Sequence, residues 1–339
     1  MLPALIAAAA LVDAPAAAPP AWCSVPVEAA AAEAGLLKAR LASRLGEAAH
    51  VHTEHTLSGD PVREASIKAE RDLPLMRDAA LAWRAGAGAP YGGFAARYLA
   101  AWLQVYQPDL NPIDETGFDA LVDTWALLRP QTPPDRRTVV DRYFQNWAKA
   151  YVEAIDKAMD SGRRNGTWTN NWNSHRVKLV AMMAAATDDP KLFEDARRLY
   201  WSQVDANIRP SGEVLDFSER DALHYVTYDL EPLLQAALAA RSRGEDWWRA
   251  RKAGGPSLEQ AVKWLRPYAA GETAHEEFVH STVPFDAERA HHGEKGYSGP
   301  WDRKTAARVY WMAAEFDPSY RPLAEQLGPA PTYVVLCGQ

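Results

Sequence analysis

The sequence predicts an all-α fold, a single α/α toroid or incomplete α/α barrel. Three observations carry that expectation. Apolar residues recur at intervals of three and four along most of the chain, which is the spacing of one helical face. Alternating strand patterns are almost absent. About ten to twelve helical stretches follow one another through short connections without a strict repeat, which favours a ring of antiparallel helix pairs over a solenoid. No Gly-, Ser- or Pro-rich linker divides the chain after its start, so one domain is expected over residues 25–330, with a short tail at 331–339.

The elements follow in order. Residues 1–22 open with a short apolar run and continue Ala/Pro-rich, with Ala14-Pro15-Ala16 as a small-residue cleavage site. The run has the length of a signal-peptide core and is too short to span a bilayer, although no Lys or Arg precedes it. Export to the periplasm or outside the cell is therefore expected. Residues 27–49 have amphipathic helix composition, and His52 to Pro61 reads as a polar loop. Helices are expected over 61–83, with Pro61 in the first turn, and over 94–106 after a Gly-rich break at 86–93. Further helices are expected over 115–128, 136–160, 171–186 and 191–206. Ser218 is read as the cap of a helix running to about Ala240, with Asp221 three residues on. Two more helices are expected at 257–268 and 302–314, an irregular stretch at 271–299, and a short strand at 332–336.

Bulk composition narrows the partners. Hydrophobic content of 47% suffices for a sizeable core. A net charge of −7 argues against nucleic-acid binding but leaves room for a local basic cleft that attracts an anion. The 13 Trp and 13 Tyr serve either core packing or a groove on which sugar rings stack. Cys23 and Cys337 form no metal motif, and one disulfide between them is open in an oxidising compartment. No phosphate loop, paired-Cys zinc site or H-E-x-x-H motif occurs, so no metal or cofactor is expected. No segment after the leader is apolar enough for a membrane helix, and a monomer is expected.

Chemistry concentrates between Trp168 and Leu234. In T-N-N-W-N-S-H-R (Thr169 to Arg176), Asn171 and His175 stand one helical turn apart, and Lys178 extends their face. In E-R-D-A-L-H-Y-V-T-Y-D-L-E-P-L (Glu219 to Leu233), Arg220, His224 and Tyr228 follow at i, i+4 and i+8, a sector of roughly 80° on one helix. A guanidinium beside Tyr228 would lower the phenol from its ordinary value near ~10 and let it exchange a proton near neutral pH. An amide and an imidazole facing it would hold a carboxylate and absorb the charge of an enolate. Such a set fits β-elimination from a uronic acid. The same residues are also compatible with a solvated polar face and ordinary core packing.

Those two motifs together resemble the alginate lyase superfamily, in particular polysaccharide lyase family 5 and the related family 38. The resemblance is strongest over Asn170 to Leu234 and weaker over Tyr98 to Trp102, Asn111 to Glu115 and His280 to Arg289. It implies a toroid with an open cleft and metal-independent cleavage of an anionic polysaccharide. It assigns Asn171 to the substrate carboxylate, Tyr228 to acid and, in syn elimination, base, and Arg220 to the supporting charge. Family 5 has His directly after the paired Asn, where this chain has Trp172, so His175 is the candidate imidazole. Candidate substrate contacts are Asn170, Trp172, Trp168, Lys178 and His224 along the motifs. His55 and Lys68 join them from a stretch where relatives carry a lid, and His280 from the later stretch. One tyrosine serves both proton transfers on β-mannuronate or β-glucuronate, whereas guluronate needs a second group on the opposite ring face. Two competing readings are a glycoside hydrolase using Asp216, Glu219 or Asp221, and a non-catalytic polyuronate-binding protein.

Overall fold

A computed structural model of the protein describes residues 46–331. The leader, Cys23, Cys337, most of the first expected helix and the expected strand at 332–336 lie outside the described residues. Within them, α1 (Pro61–Glu70) and α2 (Leu73–Arg84) replace the single helix expected over 61–83. Pro74 causes the break, because it has no N–H for the carbonyl four residues back and its ring clashes there. Next comes α3 (Ala89–Val105), which starts five residues before the expected position with Pro90 in its first turn. Gly92 and Gly93 therefore lie inside a helix rather than in a break. A Cβ on Gly92 would lie 2.7 Å from the Trp83 ring, so glycine lets α3 pack directly on α2.

The chain continues through α4 (Asp119–Leu128), α5 (Pro134–Asp160), α6 (Asn171–Thr187) and α7 (Pro190–Asn207). Then come the short α8 (Leu215–Arg220) and the long α9 (Leu223–Arg241). The expected cap at Ser218 is corrected here: Ser218 lies inside α8, and the break falls at Asp221 in a left-handed conformation with φ 49°. Arg220 is consequently on a different helix from His224 and Tyr228. After α10 (Leu258–Ala269), the stretch expected to be irregular contains α11 (Pro284–His291). The chain closes on α12 (Ala307–Ala313), shorter than the expected 302–314 helix, and on α13 (Arg321–Leu327). Two isolated bridges, Ile208 with Val214 and Glu276 with Pro300, are the only strand-like pairings among the described residues.

Helix α6 is the centre of the packing. It lies against α4, α5, α7 and most extensively α9. Leu179, Val180, Ala181, Met183 and Ala184 are fully buried on several of its faces, the pattern of a helix enclosed on all sides. The first turns of α6 and α9 are the polar exception. There Ser174 Oγ donates to Asp229 over 2.6 Å, and the His175 and Tyr228 rings lie 4.5 Å apart. On the other flank, Gln203 Nε2 of α7 donates to the carbonyls of Thr169 and Asn170 at 3.0 and 3.1 Å, fixing where α6 begins.

A second buried device shapes the 107–118 loop. Glu115 accepts from Tyr106 Oη at 2.8 Å, Trp147 Nε1 at 3.0 Å, Tyr151 Oη and the backbone N–H groups of Asp109 and Leu110. Burial pushes its carboxyl up to about 7, partly offset by the tyrosine hydrogen bonds. Glu115→Ala leaves these donors unpaired in the core. Denaturant unfolding should show a loss of about 3 kcal/mol or more, and a loss below about 1 kcal/mol would mean the loop is held by other contacts.

Candidate active site

A pocket of about 210 Å³ opens where the first turns of α6 and α9 meet α8, α11 and the 52–60 strap. Asn171, Trp172, His224 and Tyr228 reach it from α6 and α9. Arg220, Arg289, Tyr225 and Tyr297 add two cations and two phenols, and Glu54, His55, Ile113 and Phe285 complete the lining.

Asn171 is fully buried and tightly held. Asp216 accepts from its backbone N–H at 2.8 Å and from its side-chain amide. One amide N–H is thus spent on Asp216, and the other remains for a group in the pocket. Burial pushes Asp216 up to about 6, against the opposing pull of the Asn171 donors. The turn that delivers Asp216 depends on Gly212, at φ 93°, where a Cβ would stand 2.3 Å from the Gln260 carbonyl oxygen.

Tyr228 hydrogen-bonds Thr116 Oγ1 at 3.0 Å. The single Thr116 hydroxyl proton goes to the Pro112 carbonyl at 2.9 Å, so Tyr228 is the donor. Lys178 Nζ donates to the Thr116 carbonyl at 2.8 Å and lies 3.8 Å from Asp119, bracing the same turn. Burial pushes the Tyr228 phenol well above its ordinary value and keeps it neutral. The expectation that Arg220 lowers it is corrected: Arg220 pairs with Asp286 and lies 3.9 Å over the Tyr225 ring. His175 lies beside Tyr228 rather than among the pocket-lining residues. Burial, with the nearby Lys178 charge, holds it well below the ordinary imidazole value, and both ring nitrogens lack partners. His224 is pushed down to about 4 by burial and the Arg289 and Arg220 charges.

The strap is pinned at both ends. Asp114, buried, accepts from the backbone N–H groups of Thr53 and Glu54 at 2.6 and 2.9 Å and contacts His52 Nδ1 at 3.1 Å. Across the groove, Glu294 accepts from Ser58 N–H at 2.6 Å and from Arg63 at 3.0 Å, and His292 contacts the Ser58 carbonyl at 3.1 Å.

Several sequence candidates lie elsewhere. Asn170 caps α6, its side-chain oxygen accepting from Trp172 N–H at 3.1 Å. Trp168 is covered by the Arg176 guanidinium at 4.1 Å from its centroid. Lys178 is buried behind Thr116, Lys68 is exposed on α1 away from the pocket lining, and His280 pairs with Asp221 at 2.7 Å outside it. Of the hydrolase carboxyls, Asp216 is committed to Asn171, and neither Glu219 nor Asp221 lines the pocket. Sequence reasoning passed over Arg289, Tyr225, Tyr297 and Glu54. Pro284 opening a helix with Arg289 in its last turn was the readable signal for the first.

The Glu294 latch yields a test. Desolvation opposes its charge, yet the Ser58 backbone and Arg63 outweigh it and hold the carboxyl down from 4.5 to about 2. The latch contribution is therefore present above pH 4.5 and is lost as pH falls towards 2. Glu294→Gln should speed hydrogen exchange of strap amides by about tenfold at neutral pH while core amides stay unchanged. Unchanged strap exchange would show that the latch does not hold the strap.

Comparison with known proteins follows this geometry. The chain matches the alginate lyase family over residues 50–275. A polysaccharide lyase of Stenotrophomonas maltophilia is 30% identical over 135 residues, which span 39% of this chain and only 38% of that relative. An alginate lyase from Bacteroides ovatus superposes with a TM-score of 0.60 at 16% identity, covering 94% of this chain and 92% of that one. A variant of alginate lyase A1-III complexed with a tetrasaccharide gives 0.55 at 16% identity, covering 92% and 96%. At these identities the structural likeness speaks for the fold, which is the α/α toroid. The family match covers more than half of the chain and takes in the strap, α6, α8 and α9, and this protein accordingly belongs to the alginate lyase family.

Proposed function

We propose that the protein is a polysaccharide lyase that cleaves polyuronate chains by β-elimination. The observation that carries the reading is the convergence of Asn171, Tyr228, Arg220 and Arg289 on one pocket. The free amide N–H of Asn171 and the two guanidinium groups suit a uronate carboxylate, and neutralising that carboxylate acidifies the C5–H beside it. The neutral Tyr228 phenol is in the acid form, ready to protonate the glycosidic oxygen on C4 as that bond breaks. Trp172, half-buried at the rim, offers a face for a neighbouring sugar ring. The tetrasaccharide held by the A1-III variant and the family membership support an oligosaccharide in this groove.

A hydrolase is the weaker reading. It needs two carboxyl groups flanking the bond. Among the described residues that line the pocket, Glu54 brings the one carboxylate. Mannuronate- or glucuronate-rich chains fit better than guluronate, because Tyr228 can serve both proton transfers on them, whereas His175, the candidate second group, is not among the pocket-lining residues. The export expected from the leader agrees with a polymeric substrate outside the cytoplasm.

Incubation with polymannuronate, polyguluronate and glucuronan, followed by ultraviolet absorbance of the unsaturated product, tests the reading. Turnover should be fastest on polymannuronate or glucuronan. Tyr228→Phe should lower kcat by about a thousandfold or more while binding and fold persist. New reducing ends without absorbance would establish hydrolysis instead, and full activity in Tyr228→Phe would remove this residue from the chemistry.

A further inference from the structure

Lys178 carries a buried charge that takes no part in lining the pocket. Its side chain is 1% exposed, and it stands about two turns beyond Asn171 on the α6 face that also carries His175. Taking an ammonium out of water is costly, and a buried ion pair can often be replaced by apolar residues of similar volume without loss of stability. Core packing alone therefore gives no reason for a lysine here. Its contacts do. Nζ donates to the Thr116 carbonyl at 2.8 Å, and the hydroxyl of the same residue accepts from the Tyr228 phenol at 3.0 Å. One residue thus joins the buried cation to the phenol. Lys178 is itself held. Asp119 lies 3.8 Å from Nζ and accepts from Gln235 Nε2 at 2.6 Å. Nearby, Arg308 of α12 bonds Glu231 of α9 at 2.9 Å, and Arg77 of α2 faces Asp123 of α4 at 3.3 Å. The cations and carboxylates of this group balance, so the Lys178 charge is kept in one place behind the Thr116 turn.

We propose that Lys178 is a positioning residue of the elimination that acts on Tyr228 through Thr116; this rests on the lyase reading above. The ammonium fixes the Thr116 carbonyl and with it the direction of the neighbouring hydroxyl, which holds the phenol in front of the sugar. Tyr228 passes through its phenolate whichever proton transfer comes first. At rest the Thr116 hydroxyl proton goes to the Pro112 carbonyl. Once the phenol is ionised, that hydroxyl turns and donates to the phenolate, and the Lys178 charge behind it favours the same form. Burial, followed by the Tyr225 and Glu231 charges, works against the phenolate, whereas the Thr116 hydrogen bond and Arg289 work for it. The groups that face the phenol are thus Thr116 from the 107–118 loop, His175 from α6, Tyr225 and Glu231 from α9 and Arg289 from α11.

The test combines Lys178→Met with Thr116→Val, which exchanges the hydroxyl for a methyl group. On the polyuronate that wild type cleaves fastest, each should lower kcat by about thirtyfold with KM within about threefold, because neither residue lines the pocket. The double variant should fall no more than about threefold below the less active single variant, since both changes break the same connection. Where Lys178→Met does not fold because Asp119 has lost its partner, Lys178→Met with Asp119→Asn removes both charges, keeps an acceptor for Gln235 and takes its place in the comparison. Wild-type kcat in either single variant, losses that multiply in the double variant, or a change confined to KM would overturn the assignment and leave the lyase reading intact. Failure of both lysine variants to fold would assign Lys178 to the core instead. A wild type that forms no unsaturated product on any polyuronate would remove both the assignment and the lyase reading.

Discussion

One buried carboxylate ties the site together. Asp216 has no access to solvent and accepts both the backbone N–H and the side-chain amide of Asn171. That contact joins α8 to the first residue of α6 and sets which N–H of Asn171 can face the pocket. With Ser174 on Asp229 one helical turn away, it also keeps the first turns of α6 and α9 together, and so places Tyr228 beside His175. A buried carboxylate is tolerated only when its oxygens are hydrogen-bonded, so the site and the helix junction are specified by the same atoms.

The structure divides the polar groups by exposure. Tyr228, His175 and His224 lie in surroundings that favour their neutral forms. Arg220 is tied to Asp286, and Arg289 to the hydroxyls of Tyr225 and Tyr297. Of the residues that line the pocket, His55 on the strap is the exposed one, with 68% of its side chain open to solvent. Glu115 and Asp114 link the two sides, because the 107–118 loop carries Thr116 to Tyr228, Asn111 to Glu54 and Asp114 to the strap backbone.

Much of this was legible in the sequence. Helical periodicity identified the class, and the two motifs carried Asn171, Arg220, His224, Tyr228 and Trp172 to one pocket. What periodicity could not show was the break at Asp221, where a left-handed residue ends α8, so the i, i+4, i+8 argument placed Arg220 correctly for the wrong reason. Lys178 and Asn170 carry polar side chains on a promising face, but one braces Thr116 and the other caps α6. Side-chain type and spacing do not distinguish a ligand contact from a structural hydrogen bond. Arg289 and Glu54 come from distant segments, and only the packing of α11 and the strap brings them in.

The central claim is that a uronate sits with its carboxylate on Asn171 and its C5 before Tyr228. A crystal structure of Tyr228→Phe with a mannuronate or glucuronate oligosaccharide tests it most directly. The account predicts a sugar carboxylate within about 3 Å of Asn171 Nδ2, with C5 facing position 228. A saccharide seated away from this groove, for example beside Trp248 and Phe316, or bound there with its carboxylate turned from Asn171, would contradict it.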